Sequence, residues 1–389
     1  MTRLDLPDGS GFGPDHLPLG VFSTAAGPPR VGVRYGDLVV DLTVLLGDPV
    51  FAAPSLNAFL AEGPSRWAEV RAAIAAAITD EVPAGAVHGV DDVVVHLPVE
   101  VADYVDFYAS LHHATNVGRI FRPQGEPLTP NWRHLPIGYH GRAGTVVVSG
   151  TDVVRPSGLR RPAPDADPAF GPCAALDFEA ELGFVVGVPS DHGTPVPIDG
   201  FAEHVFGVVL LDDWSARDIQ AFEAQPLGPF LGKSFATSVA AWVTPLAALE
   251  AARRPLPGQT PEPSSYLRPA GPWALDVDLE VQWNGATVSR PSYRDMYWSA
   301  DQMLAHMTVN GASLRTGDLY ASGTISGPDE PGCLLELTRG GRERVDVAGR
   351  SSTYLEDGDE LTVTATAPGA DGGRLTLGEV RGRIRAAST

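Results

Sequence analysis

The sequence predicts a mainly β protein in two parts, an α+β arrangement with few helices. The chain has 389 residues, which is longer than a single hydrophobic core usually extends. It contains 43 glycines and 35 prolines, as expected for many turns between short strands. Apolar and polar residues alternate in short runs, whereas helical spacing is rare. We therefore expect a small, mostly β part over residues 1–104 and a large, mixed or antiparallel β part over residues 105–389.

In the first part, alternation predicts strands at 31–35, 38–42 and 93–97. Apolar side chains spaced three and four residues apart predict a helix that begins near Ser65, whose hydroxyl could cap it. We place the boundary between the two parts within 98–105.

The second part is dominated by runs that read as strands. These runs are 145–149, 176–188, 205–211, 275–282, 335–338 and 361–366. Segments 160–172 and 253–272 are rich in proline and are expected to be loops.

Composition excludes several classes of partner. The net charge of −20 argues against nucleic acid or an anionic membrane, since both attract lysine and arginine. We find no apolar run of 18 residues and no secretory signal at the start of the sequence. Cys173 and Cys333 form no disulfide framework, so we expect a cytoplasmic protein.

Two glutamates lie two residues apart on a predicted strand. Glu179 and Glu181 would share one face, about 6.6 Å apart along the strand, and would repel each other by about 2.5 kcal/mol. Three explanations remain open: a solvated face, an acid pair sharing one proton, or a shared divalent cation. Asp213 follows the apolar run 205–211, where a buried strand would fix it. Ligation by these oxygens alone suits Mg²⁺ or Ca²⁺.

Other polar residues lie close to these acids in the sequence. Ser215 and Asp218 match a capping box, which predicts a helix from Ser215 with Arg217 and Gln220 on one face. His112 and His113 lie in a short stretch with an acid and a phenol, where a histidine could act as a general base. Lys233 is the one lysine among 28 basic residues. Either a genome that favours arginine, or a tight site that needs a compact ammonium group at this position, would explain this bias.

Long motifs in the second part resemble the fumarylacetoacetases, carbon–carbon hydrolases of tyrosine and phenylalanine breakdown in the fumarylacetoacetate hydrolase superfamily. The motifs are DFYASLHHATNVGRIFR (106–122), PNWRHLPIGYHGRAGTVVVSG (130–150), LDFEAE (176–181), DDWSARDIQ (212–220), PLGPFLGKSFATS (226–238), VNGASLRTGDLYASGTISG (309–327) and LLELTRGG (334–341). The resemblance implies a small SH3-like barrel followed by a β-sandwich roll, assembled as a homodimer.

The resemblance also implies a role for individual residues. The divalent cation would be held by four acids, with Lys233 and Thr237 at its periphery; the acids are Asp106, Glu179, Glu181 and Asp213. The base would be His113, oriented by Glu336. The oxyanion would be stabilised by Arg217, Gln220 and Lys233. The substrate would also contact Tyr108, Arg122, Tyr139 and Thr324.

The implied activity is the metal-dependent hydrolysis of a β-diketo acid, with fumarylacetoacetate giving fumarate and acetoacetate. Ala224 stands where the family pattern has a substrate-binding tyrosine, so a larger pocket for another acylpyruvate or diketone is an alternative. Tyr297 or Arg122 could compensate for the missing phenol. Decarboxylation, isomerisation and hydration occur in the superfamily, but His113 and Glu336 favour hydrolysis. A non-catalytic binding or scaffold protein on the same fold is the other alternative.

Overall fold

Strands outnumber helices in the computed structural model of the chain, which describes residues 2–7, 9–163 and 165–388. The α-helices are α1 (Leu42–Leu46), α2 (Asn57–Leu60), α3 (Pro64–Thr79), α4 (Leu111–Phe121), α5 (Phe201–His204), α6 (Arg217–Glu223), α7 (Ala300–Thr308) and α8 (Leu334–Leu337). Short 3₁₀ helices span Pro49–Ala52, Ala84–Ala86, Val90–Asp92, Ala143–Thr145, Ile198–Gly200, Leu246–Ala252, Ser265–Leu267, Tyr293–Asp295 and Ala370–Gly372.

The strands extend along the whole chain. They are β1 (Leu19–Ser23), β2 (Arg30–Tyr35), β3 (Leu38–Asp41), β4 (Val87–Gly89), β5 (Val94–His96), β6 (Tyr104–Phe107), β7 (Gly138–His140), β8 (Val146–Val148), β9 (Val153–Val154), β10 (Ser157–Arg160), β11 (Ala169–Pro172), β12 (Leu176–Asp177), β13 (Ala180–Val186), β14 (Val205–Asp213), β15 (Ser215–Ala216), β16 (Thr237–Val239), β17 (Trp242–Pro245), β18 (Arg253–Arg254), β19 (Ala274–Leu275), β20 (Asp278–Trp283), β21 (Ala286–Ser289), β22 (Leu319–Ala321), β23 (Val345–Val347), β24 (Arg350–Ser352), β25 (Glu360–Pro368) and β26 (Arg374–Arg385). The mainly β, α+β class predicted from the sequence is confirmed.

A large mixed sheet forms the centre of the molecule. Its main path runs β4-β3-β2-β1-β17-β14-β13-β22-β6-β7, and β5, β8 and β16 pair at its sides. A second sheet has the order β21-β20-β25-β26-β9. The central strands β13 and β14 are buried at every residue, which explains their nearly continuous apolar sequence.

The N-terminal strands continue into this sheet. In β1, Leu19 pairs with Val243 of β17, and Gly20 pairs with Trp242. A Cβ at Gly20 would lie 2.5 Å from the carbonyl oxygen of Ala241, so the seam requires glycine at this position. The two parts of the chain therefore share one hydrogen-bonded sheet.

Three predicted strands differ in the structure. One of them, 275–282, is divided between β19 and β20. The run 335–338 is not a strand, because Leu334–Leu337 forms α8, whose first amides donate to the buried Asp177. The predicted strand 176–188 is interrupted between β12 and β13. At this interruption the backbone N–H of Glu179 donates to the side chain of Asp212 at 3.0 Å.

The predicted helix caps also differ. Helix α6 begins at Arg217, since the Ser215 hydroxyl donates to the Asp213 carbonyl at 2.9 Å and does not cap the helix. Helix α3 begins at Pro64, with Gly63 at its cap position, so Ser65 lies inside its first turn.

The proline-rich segments contain more structure than expected. Strands β10 and β11 form a hairpin across 160–172, and β18 and a 3₁₀ helix lie within 253–272. Pro164 of the first segment lies outside the described residues. Among the helices of the described chain, none is both long enough and apolar enough to cross a membrane.

Candidate active site

Three of the four predicted metal-binding acids meet at the centre of the main sheet. Asp106 lies on β6, Glu179 lies between β12 and β13, and Asp213 ends β14. One carboxylate oxygen from each lies within 4.8 Å of those of the other two, and all three side chains are buried. The topology thus brings together residues that lie up to 107 positions apart in the sequence, from Asp106 to Asp213.

The fourth acid, Glu181, is fully buried on β13. Its Oε2 accepts a hydrogen bond from the N–H of Gly323 at 3.0 Å. Gly323 has a φ of 75°, and a Cβ there would lie 2.1 Å from the carbonyl oxygen of Phe107, so only glycine fits. The solvated outer face considered for Glu179 and Glu181 is therefore wrong, because both glutamates are buried.

The four acids repel each other in a buried environment. Burial raises the pKa of Asp106 and of Glu181 well above the usual carboxyl range, and neighbouring carboxylates raise it further. Burial also raises the pKa of Asp213, although Lys233 opposes this shift. Burial acts in the same direction on Glu179, but Lys233 and Arg217 outweigh it and hold its pKa low.

The donor set fits a divalent cation. Asp106 Oδ1 and Glu181 Oε1 are buried and have no hydrogen-bond partner among the described residues. Unpartnered carboxylate oxygens in a buried cluster are costly unless a positive charge compensates them. Oxygen ligands of this kind suit a hard cation.

Lys233 and Arg217 lie against this cluster. Lys233 Nζ contacts Glu179 Oε2 and donates to Asp213 Oδ2 at 2.8 Å. Arg217 Nη2 lies 2.7 Å from Glu179 Oε1, and its Nη1 donates to Gln220 Oε1 at 3.2 Å. Thr237 Oγ1 donates to Asp213 Oδ1 at 2.7 Å. Both positive groups therefore contact Glu179, and Lys233 also contacts Asp213.

His113 and Glu336 form a buried pair at the other end of the site. His113 lies in the first turn of α4, whose N-cap residue Ser110 accepts from the His113 N–H at 3.2 Å. Its Nδ1 lies 2.6 Å from Glu336 Oε2. Burial alone would raise the pKa of Glu336, but the contacts with His113 and with hydrogen-bond donors such as Asn116 outweigh it and lower the pKa.

One cavity of about 1030 Å³ connects the two ends. Its wall includes ten of the predicted residues: Asp106, Tyr108, His113, Arg122, Tyr139, Glu179, Arg217, Gln220, Lys233 and Thr324. The other predicted residues are buried behind the wall: Glu181, Asp213, Thr237 and Glu336. Thr324 Oγ1 is buried without a partner among the described residues, so it is available to a ligand.

Ala224 lies in the wall of this cavity, where it leaves room for a ligand. The suggestion that Tyr297 compensates for the missing phenol is wrong, because Tyr297 is buried against Trp132 and its hydroxyl donates to the Thr260 carbonyl at 3.2 Å. Arg122 does line the cavity.

Several residues of the site were not predicted from the sequence. Arg161 lines the cavity beside Phe222, with its guanidinium carbon 5.8 Å from the ring centre. Asn116 Nδ2 donates to Glu336 Oε1 at 2.8 Å, and Ser326 Oγ donates to Glu336 Oε2 at 2.7 Å. Asp177 Oδ2 forms an ion pair with Arg217 Nε at 2.8 Å. Asn116, Ser326 and Asp177 lie within the quoted motifs, but only the fold shows which partners they contact.

Comparison with known proteins identifies the family of the chain. The family model described as fumarylacetoacetate (FAA) hydrolase C-terminal matches residues 103–385, and the model described as fumarylacetoacetase N-terminal matches residues 15–98. A fumarylacetoacetase of Rattus norvegicus is 44% identical over an alignment that covers 99% of this chain and 98% of the rat protein. The chain belongs to the fumarylacetoacetase family. Family members from Homo sapiens and Arabidopsis thaliana are 43% and 40% identical, and each alignment covers at least 97% of both chains.

Solved structures share the fold at lower identity. A fumarylacetoacetate hydrolase from Exiguobacterium antarcticum has a TM-score of 0.59 at 17% identity, with 95% of this chain and 99% of that chain covered. A maleylpyruvate hydrolase from Sphingobium, in complex with manganese(II) ion and pyruvate, has a TM-score of 0.56 at 18% identity, with 96% and 100% covered. These likenesses establish the fold of this fumarylacetoacetase-family chain.

Proposed function

We propose that this chain is a metal-dependent hydrolase that cleaves a carbon–carbon bond in fumarylacetoacetate and releases fumarate and acetoacetate. The observation that carries the proposal is the placement of His113, paired with Glu336, in the same cavity as Lys233 and the carboxylate cluster. Family membership over nearly the whole chain supports the same activity.

His113 acts as the general base. Glu336 is ionised and can only accept, so the Nδ1 that faces it carries the hydrogen and Nε2 keeps its lone pair. Nε2 accepts a proton from water, and the resulting hydroxide attacks a carbonyl carbon of the substrate. Glu336 stabilises the imidazolium that forms.

Arg217, Gln220 and Lys233 stabilise the oxyanion of the tetrahedral intermediate. Gln220 uses its carbonyl oxygen to accept from Arg217 Nη1, which leaves its amide N–H groups as donors. Each such donor is typically worth about 3 kcal/mol of transition-state stabilisation. Collapse of the tetrahedral intermediate breaks the carbon–carbon bond, and its electron pair leaves on the enolate. His113 then returns its proton to the carbon of that enolate.

The residues that would hold a divalent cation are the four acids, with Lys233 and Thr237 at their edge; the acids are Asp106, Glu179, Glu181 and Asp213. When bound, such a cation supplies a Lewis acid for the diketone oxygens and the departing enolate. We propose Mg²⁺ or Ca²⁺, since every proposed acidic ligand offers oxygen.

Tyr108, Arg122, Tyr139 and Thr324 bind the substrate. Arg122 lines the cavity and carries the positive charge that a substrate carboxylate requires. Its guanidinium donates to the backbone carbonyls of Glu126 and Pro127. Ala224 in the wall favours one alternative, a diketo acid with a bulkier group than fumarylacetoacetate, turned over by the same machinery.

Turnover of fumarylacetoacetate by the purified protein tests the proposal. We expect loss of the diketone absorbance with Mg²⁺ or Ca²⁺, and no loss with EDTA. His113→Ala should keep cation binding and the folded state but lose turnover. Substantial hydrolysis by that variant would contradict the assignment of the base. Binding of the cation without turnover would redirect the search to bulkier diketones, and binding of diketo acids with no cleavage of any would favour a non-catalytic role.

We further infer a cytoplasmic homodimer with a domain boundary near residue 104. Exposed apolar side chains support self-association; they are Phe121 and Leu227, which line the cavity, and Phe170, Phe230 and Leu231. The charge of −20 disfavours nucleic acid and anionic membranes as partners. Sedimentation equilibrium should give twice the chain mass, and a monomer at micromolar concentration would contradict the dimer.

A further inference from the structure

Asp177 connects the two ends of the active site through one buried carboxylate. It ends the short strand β12 and is fully buried. Its Oδ1 accepts from the N–H of Leu334 at 2.7 Å, and its Oδ2 accepts from the N–H of Leu335 at 2.9 Å. Oδ2 also accepts from Arg217 Nε at 2.8 Å. One side chain therefore holds both α8 and Arg217.

Each of these partners is adjacent to, or part of, the proposed catalytic machinery. Leu334 and Leu335 immediately precede Glu336, which holds the ring of His113. Arg217 lies in the cavity wall, where it contacts Glu179. Asp177 is not among the residues of the cavity wall, so it acts on the substrate only through these neighbours.

Neutralisation of charge does not by itself explain this arrangement. Arg217 already has Glu179 as a counter-ion on Nη2, and Asp177 adds a second carboxylate on Nε. Two carboxylates on different nitrogens of a planar guanidinium restrict its plane as well as its position. Hydrogen bonds to an ionised carboxylate also anchor the first turn of α8 more firmly than water would.

We propose that Asp177 is a positioning residue, which fixes the oxyanion-binding guanidinium of Arg217 relative to the general-base pair of His113 and Glu336. This inference rests on the proposed function for its catalytic consequence, but the linkage itself is measurable without turnover.

Hydrogen–deuterium exchange of Asp177→Asn tests the linkage directly. The amide keeps the shape of the side chain but can no longer accept these three hydrogen bonds together with a fourth, from the N–H of Phe178 at 2.8 Å. We expect faster exchange in both 334–337 and 217–223. Asp301→Asn is the matched control, since Asp301 is also buried but binds within α7. Unchanged protection of 334–337 in Asp177→Asn would overturn the proposal, whether or not the wild type cleaves fumarylacetoacetate.

Chemical rescue tests the catalytic consequence. Arg217→Ala should lose at least about a hundredfold in kcat, and millimolar guanidinium should restore part of it when Asp177 is present. The double variant with Asp177→Asn should show no rescue, and equal rescue in both would contradict the positioning role. The control Asp301→Asn should leave rescue intact.

A variant that leaves Asp177 untouched covers the case in which Asp177→Asn fails to fold. Arg217→Lys keeps the positive charge but removes the Nε contact with Asp177. We expect kcat to fall at least tenfold while KM changes less than threefold. Near-normal kcat in Arg217→Lys would show that charge alone is needed and would overturn the proposal.

Discussion

Glu181 is the residue whose side chain tests the proposed cation site most directly. One of its oxygens is held by Gly323, and the other is buried without a partner among the described residues. We expect Glu181→Ala to weaken divalent-cation binding by more than about tenfold, since loss of even an outer-shell partner commonly costs that much. Isothermal titration with Mg²⁺ and Ca²⁺ measures this. The exposed Glu343→Ala is the control, and wild-type affinity in Glu181→Ala would remove Glu181 from the site.

Ala224 decides how tightly the cavity holds a small diketo acid. Ala224→Tyr would add a ring and a hydroxyl at the wall of the cavity. A hydrogen bond to a charged ligand contributes about 1.5–3 kcal/mol, so we expect KM for fumarylacetoacetate to fall about tenfold or more. Ala224→Phe separates the ring from the hydroxyl and should lower KM less. Higher KM in both variants would indicate that the natural substrate fills the space beside Ala224.

At the scale of elements, local patterns predicted the strands better than the caps. The alternating run 361–366 and the apolar run 205–211 lie within β25 and β14, because burial on one or both faces is visible in the sequence. Leu334–Leu337 is apolar in the same way, yet it is helical because Asp177, distant in sequence, binds its first amides. A contact of that kind leaves no local signal.

In the site, too, some features are visible in the sequence and others depend on contacts between distant residues. Family motifs supplied the acids and the pair of His113 and Glu336, and the structure brings them together. The supporting contacts of Asn116 and Asp177 depend on tertiary placement, and no local pattern in the sequence marks these residues. Tyr297 shows an error of the opposite kind. The sequence suggested it as a substitute for the missing phenol of the pocket, but its side chain is buried in the core.

The cap of α4 offers a prediction at this scale. The Ser110 hydroxyl accepts from the His113 N–H and donates to the Ser326 carbonyl at 3.1 Å. We expect Ser110→Ala to cost about 1 kcal/mol of stability and to lower kcat, because the helix carrying the base loosens. Urea unfolding and steady-state kinetics measure the two effects.

Ser299→Ala is the matched control for that experiment. Ser299 caps α7 with a capping box, outside the catalytic pair. It should lose similar stability while kcat stays near the wild-type value. An equal loss of kcat in both variants would show that general destabilisation explains the effect of Ser110→Ala.

At the scale of the whole molecule, His16 joins the N-terminal segment to the central sheet. Its Nδ1 donates to the Gly11 carbonyl and its Nε2 accepts from Thr244 Oγ1, both at 2.9 Å. Burial lowers the pKa of His16 from 6.5 to about 3, so the folded state holds it neutral. The unfolded chain binds the proton more readily between these pH values, and stability therefore falls as pH decreases below 6.5.

The expected loss from His16 is about 1.4 kcal/mol per pH unit in that window. Urea unfolding at pH 7 and at pH 4.5 should show a larger drop in stability for the wild type than for His16→Gln, by about 2–3 kcal/mol. Other titrating groups are the same in both proteins and cancel in this comparison. Equal drops would show that His16 is not kept neutral by burial.

The pairing between β1 and β17 also determines when, during synthesis of the chain, β1 can complete its hydrogen bonds. Leu19 finds its partner Val243 only after roughly 220 further residues have been made, which takes about 10–45 s at ordinary rates of synthesis. During that interval Leu19 and Gly20 have no neighbour from their own chain on this edge of β1, although β5 already pairs with Val21–Ser23, and open strand edges invite pairing with other chains. The nascent N-terminal part is therefore most exposed to aggregation before the centre of the sheet exists.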